Sequence, residues 1–388
     1  MTAIDEVALP APARAALEEV VGRALGKEHV EVVDWSIQKV PGGLDRSSTV
    51  YRATGTANVG KGLQEWSVFL KVFQPLPGRE DPASAFYWRR EPEAFASGIL
   101  DQLAEGLVGP RLLGTEDHGT EVWLWLEHVG GVPGTEWTLD QALAAVRKLG
   151  TFSGAYLAGR QLPSEPWILR DLRHAWAVEA APGIARLAAM RDHPLVRIGW
   201  SDGLDEVVLR FWEDDRPRFL EALGRLPRTL QHGDPNPLNM FVRPVASGGN
   251  GRAGGVEQTV VIDWAFLCIT PLGEDLATLA SYAAAWGRGK PGIDAQATTA
   301  LIIETYTEGL RENGWRGDAQ LVRLGYHLTK ALRYLLHPFV LELLDEVDHT
   351  RAEQKFGKPV KEILQSVPNI LQRGLAAAGE ARRMMGQR

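Results

Sequence analysis

The sequence predicts an α+β protein in two lobes, a small antiparallel sheet followed by a larger helical part. Three observations lead there. Several short apolar or alternating runs between Val30 and Val129 have the pattern of strands, Val30–Val40 and Trp66–Phe73 most clearly. After Gly130-Gly131 the apolar residues recur at helical spacing. One block interrupts the helices, Gln231-His232-Gly233-Asp234-Pro235-Asn236-Pro237-Leu238-Asn239-Met240, whose prolines and glycine are incompatible with a helix interior. The lobe boundary is expected at 129/130, with residues 1–129 forming a sheet lobe that carries one long helix and residues 130–388 the helical lobe.

Bulk properties narrow the function classes. A chain of 388 residues is ample for one large or two moderate cores. With 45% hydrophobic and 23% charged residues it has an ordinary globular balance. A formal net charge of -7 disfavours general nucleic-acid binding through phosphates, while permitting a cationic substrate. The single cysteine excludes an intrachain disulfide and a multi-cysteine metal site. Cys268 follows Ala265-Phe266-Leu267 and reads as a small buried residue. No apolar run reaches membrane-spanning length. The N-terminus carries Asp5 and Glu6 and has no basic stretch leading into an apolar one, so no secretory signal and a cytoplasmic location are expected.

In order, Pro10–Leu25 reads as a helix with Leu17, Val20 and Val21 near one face, and Val30–Val40 as a first strand. The turn-rich loop Pro41–Ser48 leads to a strand over Thr49–Thr54. In Trp66–Phe73, Val68, Leu70 and Val72 share one face while Phe69, Lys71 and Phe73 share the other. A lysine among such hydrophobics must reach a surface or find an anion. The helix that opens at Trp88-Arg89-Arg90-Glu91-Pro92-Glu93 offers two carboxylates for it, Glu91 and Glu93. Leu112–Glu116 and Glu121–Val129 read as further strands; helices are expected over Leu139–Gly159, Trp167–Met190, Asp205–Leu223, Ala297–Leu310 and Ala319–Val347, with one or two amphipathic segments in Arg351–Arg388. Glu213-Asp214-Asp215 reads as a solvated face, and Val245–Val256 as a glycine-rich hairpin insertion without a phosphate-loop pattern.

The chemistry concentrates in two places. Asp234 and Asn239 stand on the turn-rich loop, and Asp263 ends the β-branched run Thr259–Asp263. A base, an amide oxygen and a second carboxylate on adjoining strand and loop ends suit phosphoryl transfer. One group takes or orients a hydroxyl proton, and the other two hold Mg²⁺ against the phosphate oxygens of a nucleotide. A metal-dependent hydrolase built on His232, Asp234 and Asp263 would need further His or acidic ligands, which the neighbouring sequence does not offer. His232 reads as a packed residue supporting the loop.

The pattern H-G-D-x-x-x-x-N followed by a strand and Ile262-Asp263 resembles the aminoglycoside phosphotransferase and choline kinase-like family, small-molecule kinases that share the protein-kinase fold. The resemblance runs over roughly residues 30 to 345. Gly233 stands where protein kinases have Arg, and Asp263-Trp264-Ala265 where they have D-F-G. Both departures point to the small-molecule branch.

The resemblance implies transfer of the γ-phosphoryl group of ATP, or GTP, to a hydroxyl of an antibiotic, amino alcohol or sugar, with Mg²⁺ as cofactor. It implies Asp234 as the catalytic residue and Asn239 and Asp263 as metal ligands. Lys71 would bind phosphates with Glu91 as its support, the match to the family's R-E; Glu93 is the alternative. Ser47 and Ser48 would lie in the nucleotide-covering loop, and the main chain at Glu127 and Val129 would meet the adenine. Asp275 would anchor the catalytic loop. The expected partner is a small hydroxyl compound, with no nucleic acid and no membrane. A catalytically silent nucleotide-binding module is the other class considered; Lys71, Glu91, Asp234, Asn239 and Asp263 are all intact, which argues against it.

Overall fold

The computed structural model describes residues 12–40, 47–245, 257–288, 294–336, 349–350, 352–353 and 357–386. After a helix at Arg14–Leu25 come β1 (Glu31–Lys39), β2 (Ser48–Asn58), β3 (Leu63–Phe73), a short helix Arg90–Ala96, β4 (Leu107–Val108), β5 (Leu112–Asp117) and β6 (Val122–Glu127). All of these strands except β4 join one antiparallel sheet in the order β1-β2-β3-β6-β5.

The period of two decides what each face of this sheet does. Val68, Leu70 and Val72 of β3 pack with Trp123 and Trp125 of β6 against Leu17, Val20 and Val21 of the first helix. Phe73, Val122, Leu124 and Leu126 cluster with Trp88 on the opposite face. Strand β6 is buried on both faces, which explains its unbroken apolar run. Lys71 belongs to the second face, between Phe69 and Phe73 and toward the helix Arg90–Ala96.

The second part begins with β7 (Val132–Pro133). Helix Leu139–Leu157 follows, started by a capping box in which Thr138 and Gln141 bond each other's backbone. This helix packs face to face on helix Ala295–Glu312, and glycines permit the contact. A Cβ on Gly150 would lie 2.4 Å from the Tyr306 carbonyl oxygen, and one on Gly309 would lie 2.2 Å from that of Arg147. A glycine costs each helix roughly 1 kcal/mol of propensity, and close backbone approach is what it provides here.

Some expected elements differ. The one long helix expected in the sheet lobe is short, Arg90–Ala96, because Gly98 with φ 72° turns the chain into a separate 3₁₀ turn at Ile99–Gln102. Trp167–Met190 is not one helix: β8 (Leu169–Arg170) comes first, and the helix Leu172–Ala189 starts after Asp171, whose φ is 58°. Leu169 and Arg170 are taken into a tertiary sheet, which overrides their helical spacing. Asp205–Leu223 divides into Leu204–Arg210, a π turn at Phe211–Asp215 and Arg216–Gly224. Glu213 and Asp214 are exposed as expected, but Asp215 accepts a hydrogen bond from Arg382 Nη2 at 2.7 Å. Cys268 is buried.

β9 (Arg228–Gln231), β10 (Met240–Pro244), β11 (Glu257–Val261) and β12 (Cys268–Pro271) form two small sheets with the shorter strands, in the orders β4-β11-β10-β7 and β8-β12-β9. Helix Ala319–Leu335 covers the part of the expected Ala319–Val347 segment that lies within the described residues, and helices Val360–Gln365 and Val367–Gly386 follow. Leu328, Leu332, Leu335, Leu371 and Ala378 share one core cluster between them. Most of the loop Pro41–Ser48 and of the insertion Val245–Val256 lies outside the described residues. Among the described residues no helix is long and apolar enough to cross a membrane.

Candidate active site

The loop from Gln231 to Asn239 is held by its neighbours more than by itself. Asp275 accepts from the backbone N–H of Gly233 at 2.8 Å and from that of His232 at 3.3 Å. The Asp275 N–H in turn donates to Gln231 Oε1 at 3.1 Å. His232 is fully buried and lies against Trp264, with ring centroids 4.5 Å apart and the planes tilted by 59°. Its Nδ1 accepts from the Asp234 N–H at 3.2 Å, so Nε2 carries the proton and donates to the Ile262 carbonyl 3.1 Å away. Burial lowers its pKa and keeps the ring neutral, as this tautomer requires. Gly233 has φ 86°, and a Cβ there would lie 2.3 Å from the Phe266 carbonyl oxygen. An arginine at this position is therefore sterically excluded.

The hairpin β10–β11 brings the two metal-ligand candidates together. Met240 pairs with Val261, and the Ile262 N–H donates to the Asn239 carbonyl at 2.9 Å, so Asn239 and Asp263 emerge side by side. Asn239 Nδ2 donates to the Asp234 carbonyl at 3.1 Å, which leaves Oδ1 as the amide atom able to face a cation. Asp263 has φ 64°, an uncommon conformation for a residue with a side chain. In that conformation its carboxylate reaches Lys71.

Lys71 donates to Glu91 Oε2 at 2.5 Å and to Asp263 Oδ1 at 2.8 Å, and lies 5.2 Å from the centre of the Phe73 ring. Burial alone would lower its pKa, but the charges of Asp263 and Glu91 outweigh it and keep the ammonium charged. Glu91 is only 2% exposed. Glu93 instead faces Arg89, 3.7 Å away, on the outer side of the helix. The structure thus brings Lys71 and Glu91 together and leaves Glu93 out. Their direct contact gives an expected coupling of ~1 kcal/mol or more in a Lys71→Ala/Glu91→Ala cycle on nucleotide affinity. Glu93→Ala is expected not to couple with Lys71→Ala; the reverse pattern would contradict the observed helix register.

A residue outside the sequence expectations holds this corner. Arg90 is fully buried and donates to five carbonyls, those of Ser84 at 2.7 Å, Pro82 and Ala85 at 2.9 Å, Trp167 at 3.0 Å and Ala265 at 3.1 Å. It thereby ties the start of the Glu91 helix to the segment just after Asp263.

Ser48 pairs with Phe73 and Val50 with Lys71, so Ser48 lies on the same sheet face as Lys71. Ser47 is buried, and its carbonyl accepts from the Gln74 N–H at 2.8 Å. At the end of β6, the Glu127 N–H donates to the Arg111 carbonyl at 3.0 Å. That donor is therefore unavailable to a base, though the sequence makes it a candidate. The Glu127 carboxylate is engaged as well, with Arg111 Nε and Arg243 Nη1 each 3.0 Å away. Val129, two residues on, is half-exposed beyond the strand.

Asp234 has a partner that its local sequence gives no sign of. Its Oδ1 accepts from Arg333 Nη2 at 2.8 Å, and its Oδ2 from Asn236 Nδ2 at 2.9 Å. Arg333 comes from helix Ala319–Leu335, 99 residues away. Behind it, Arg173 and Glu274 form a second buried pair, with Nη2 and Oε1 2.8 Å apart and side chains 2% and 1% exposed.

Among the described residues no three His, Cys, Asp or Glu side chains form a metal cluster. Mg²⁺ does not require one, because it is commonly held by one or two protein oxygens together with phosphates and water. The hard oxygens of Asn239 and Asp263 fit that ion.

A model of the phosphotransferase enzyme family, APH, matches residues 37–316, and the chain belongs to that family. Several solved structures are similar. One is an ethanolamine kinase from Plasmodium vivax, at a TM-score of 0.49 and 10% identity over 90% of this chain and 84% of that one. Another is the aminoglycoside phosphotransferase APH(3'')-Id from Streptomyces rimosus in complex with ADP and streptomycin, at 0.43 and 18% over 75% and 91%. A thermostable mutant of APH(4)-Ia in a ternary complex with ADP and hygromycin B gives 0.41 and 16% over 94% and 98%. No curated protein sequence matches this chain.

Proposed function

We propose that the protein moves the γ-phosphoryl group of ATP, with GTP as the alternative donor, to a hydroxyl of a small molecule. One observation carries this reading. Five residues from separated segments, Lys71, Glu91, Asp234, Asn239 and Asp263, are linked around one site by direct contacts and by the β10–β11 hairpin. Membership of the phosphotransferase family supports it.

In this reading the sheet lobe, residues 1–129, holds the nucleotide and residues 130–388 hold the acceptor. Lys71 neutralises the α- and β-phosphates, and Glu91 keeps its ammonium aimed at them. The Val129 N–H and the Glu127 carbonyl read the base, while Ser47 and Ser48 begin the strand beneath the covering loop. Asn239 and Asp263 would hold Mg²⁺, which neutralises phosphate charge when bound. Asp234 accepts or orients the acceptor's hydroxyl proton. The acceptor oxygen then forms its bond to the γ-phosphorus, the bond to the β–γ bridging oxygen breaks, and the nucleoside diphosphate leaves. Positioning and electrostatics supply most of the rate. We assign the protein to the cytoplasm on composition.

The test is calorimetric titration with ADP, with Mg²⁺ and with chelator. Asp263→Ala is expected to weaken binding more in the presence of Mg²⁺ than in its absence, because a hard oxygen ligand is lost. An equal loss in both conditions would make Asp263 a structural partner of Lys71 and remove the metal role.

A further inference from the structure

Next to Asp234 one helix contributes two cations, Lys330 and Arg333, with the Glu274 carboxylate also acting on Arg333. Helix Ala319–Leu335 places Tyr326, Lys330, Arg333 and Tyr334 on one face, at spacings that bring residues into line on a helix. Asp234 is the only carboxylate that pairs with Arg333 among the described residues. Lys330 has none there: its Nζ donates to Tyr326 Oη at 2.7 Å and lies 5.1 Å and 6.0 Å from the Tyr326 and Tyr334 ring centres. Burial, aided by the charge of Arg373, pushes the Lys330 ammonium down to about 8. Arg373, on the helix packed alongside, also acts on Tyr334 and makes no ion pair among the described residues.

Two tyrosines lie within electrostatic range of this cluster and of the base. Tyr282 is half-buried and feels the charge of Asp234 and the nearby Tyr334. Tyr334 feels Arg333 and Arg373. His327 adds no positive charge near neutrality, because burial and the neighbouring Lys330, Arg383 and Arg323 push its pKa down to about 4.

A half-buried ammonium such as Lys330, with no carboxylate partner among the described residues, gains from a matching anion. Lys330 and Arg333 are three residues apart, about 4.5 Å along the helix axis, so a small molecule can meet both. An amine brought beside Arg333 and Lys330 would meet like charge, an arrangement that suppresses wrong partners. Building on the phosphotransferase reading above, we propose that the acceptor is an alcohol carrying an oxyanion, a carboxylate or a phosphate group. Lys330 and Arg373 receive that group, Arg333 borders it, and the hydroxyl lies against Asp234. The site thus selects against polyamine acceptors such as aminoglycosides.

The experiment is calorimetry on the full chain saturated with Mg·ADP, titrated with gluconate, sorbitol 6-phosphate, sorbitol and glucamine. These probes share a polyol body and differ in charge. At least one anionic probe is expected to bind ~10-fold or more tighter than sorbitol, a difference of about 1.4 kcal/mol, and glucamine no tighter than sorbitol. The two anionic arms separate carboxylate from phosphate recognition. Lys330→Met and Lys330→Gln are expected to erase the anion preference while near-UV circular dichroism stays unchanged; the second variant serves if the first fails to fold. Three results would each overturn the proposal: anionic probes binding no tighter than sorbitol, glucamine binding tightest, or a folded Lys330 variant that keeps the preference. Failure of Mg·ADP to bind in the first step would instead remove the phosphotransferase reading.

Discussion

Asp234→Asn is expected to lower turnover on any true acceptor by at least ~10²-fold, the scale of a lost general base, while ADP affinity with Mg²⁺ stays within a few-fold. The separation follows from the geometry. Among the described residues the Asp234 carboxylate hydrogen-bonds Arg333 and Asn236 and none of its hydrogen bonds goes to Lys71, Glu91 or Asp263, so the nucleotide side is expected to stay intact. Asparagine keeps an oxygen that can accept from Arg333, which limits the structural cost of the change. It cannot take a proton. Single-turnover rates measured alongside ADP titration check both halves. Near-wild-type turnover would remove Asp234 from its role, and a parallel collapse of ADP affinity would show that the substitution had disturbed the loop itself.

Arg90→Met is expected to have the largest effect on stability, ~3–5 kcal/mol, because several buried carbonyls lose their donor at once and each buried acceptor left unpaired costs ~1–3 kcal/mol before relaxation. Arg90 is fully buried and satisfies five backbone carbonyls from three chain segments. Methionine fills part of the volume but donates nothing, so those carbonyls lose their partner in a place water reaches poorly. Arg90→Lys is expected to recover only part of the loss, since an ammonium has three donors and no planar fork. Denaturant unfolding measures both. A loss under ~1 kcal/mol in the methionine variant, the usual size of one net hydrogen bond, would mean that the carbonyls find other donors readily.

These two residues mark what was legible in the sequence and what was not. The clustering of Asp234, Asn239 and Asp263 is legible because the signal is local. The loop chemistry lies within a few residues, and one hairpin, Met240 paired with Val261, places Asn239 beside Asp263. The two faces of β3 were legible for the same reason, since alternation along a strand needs no partner. The choice between Glu91 and Glu93 depended on helix register. The helix begins at Arg90, and in that register Glu91 turns inward to Lys71 and Glu93 outward to Arg89.

Arg90 could not be read, because its partners are main-chain carbonyls, which have no side-chain identity. Arg333 could not be read either. It meets Asp234 across 99 residues, and nothing in the sequence of its own helix points to that partner. The strand Leu169–Arg170 was missed because it pairs only with Cys268 and Ile269, a distant segment. In each case the deciding interaction is long-range, and periodicity carries no information about it.

In the proposed reaction Asp234 directs a nucleotide's terminal phosphoryl group to an alcohol, so label transfer is the decisive measurement. Wild-type protein and Asp234→Asn are incubated with Mg²⁺ and ATP labelled at the γ-phosphate, across hydroxyl compounds that carry anionic, neutral or amine groups. For the wild type, label is expected in an acid-stable phosphate monoester of at least one compound, and for Asp234→Asn that product is expected to fall at least ~10²-fold. Label released only as inorganic phosphate, at equal rates in both proteins and whatever compound is present, would contradict the assignment.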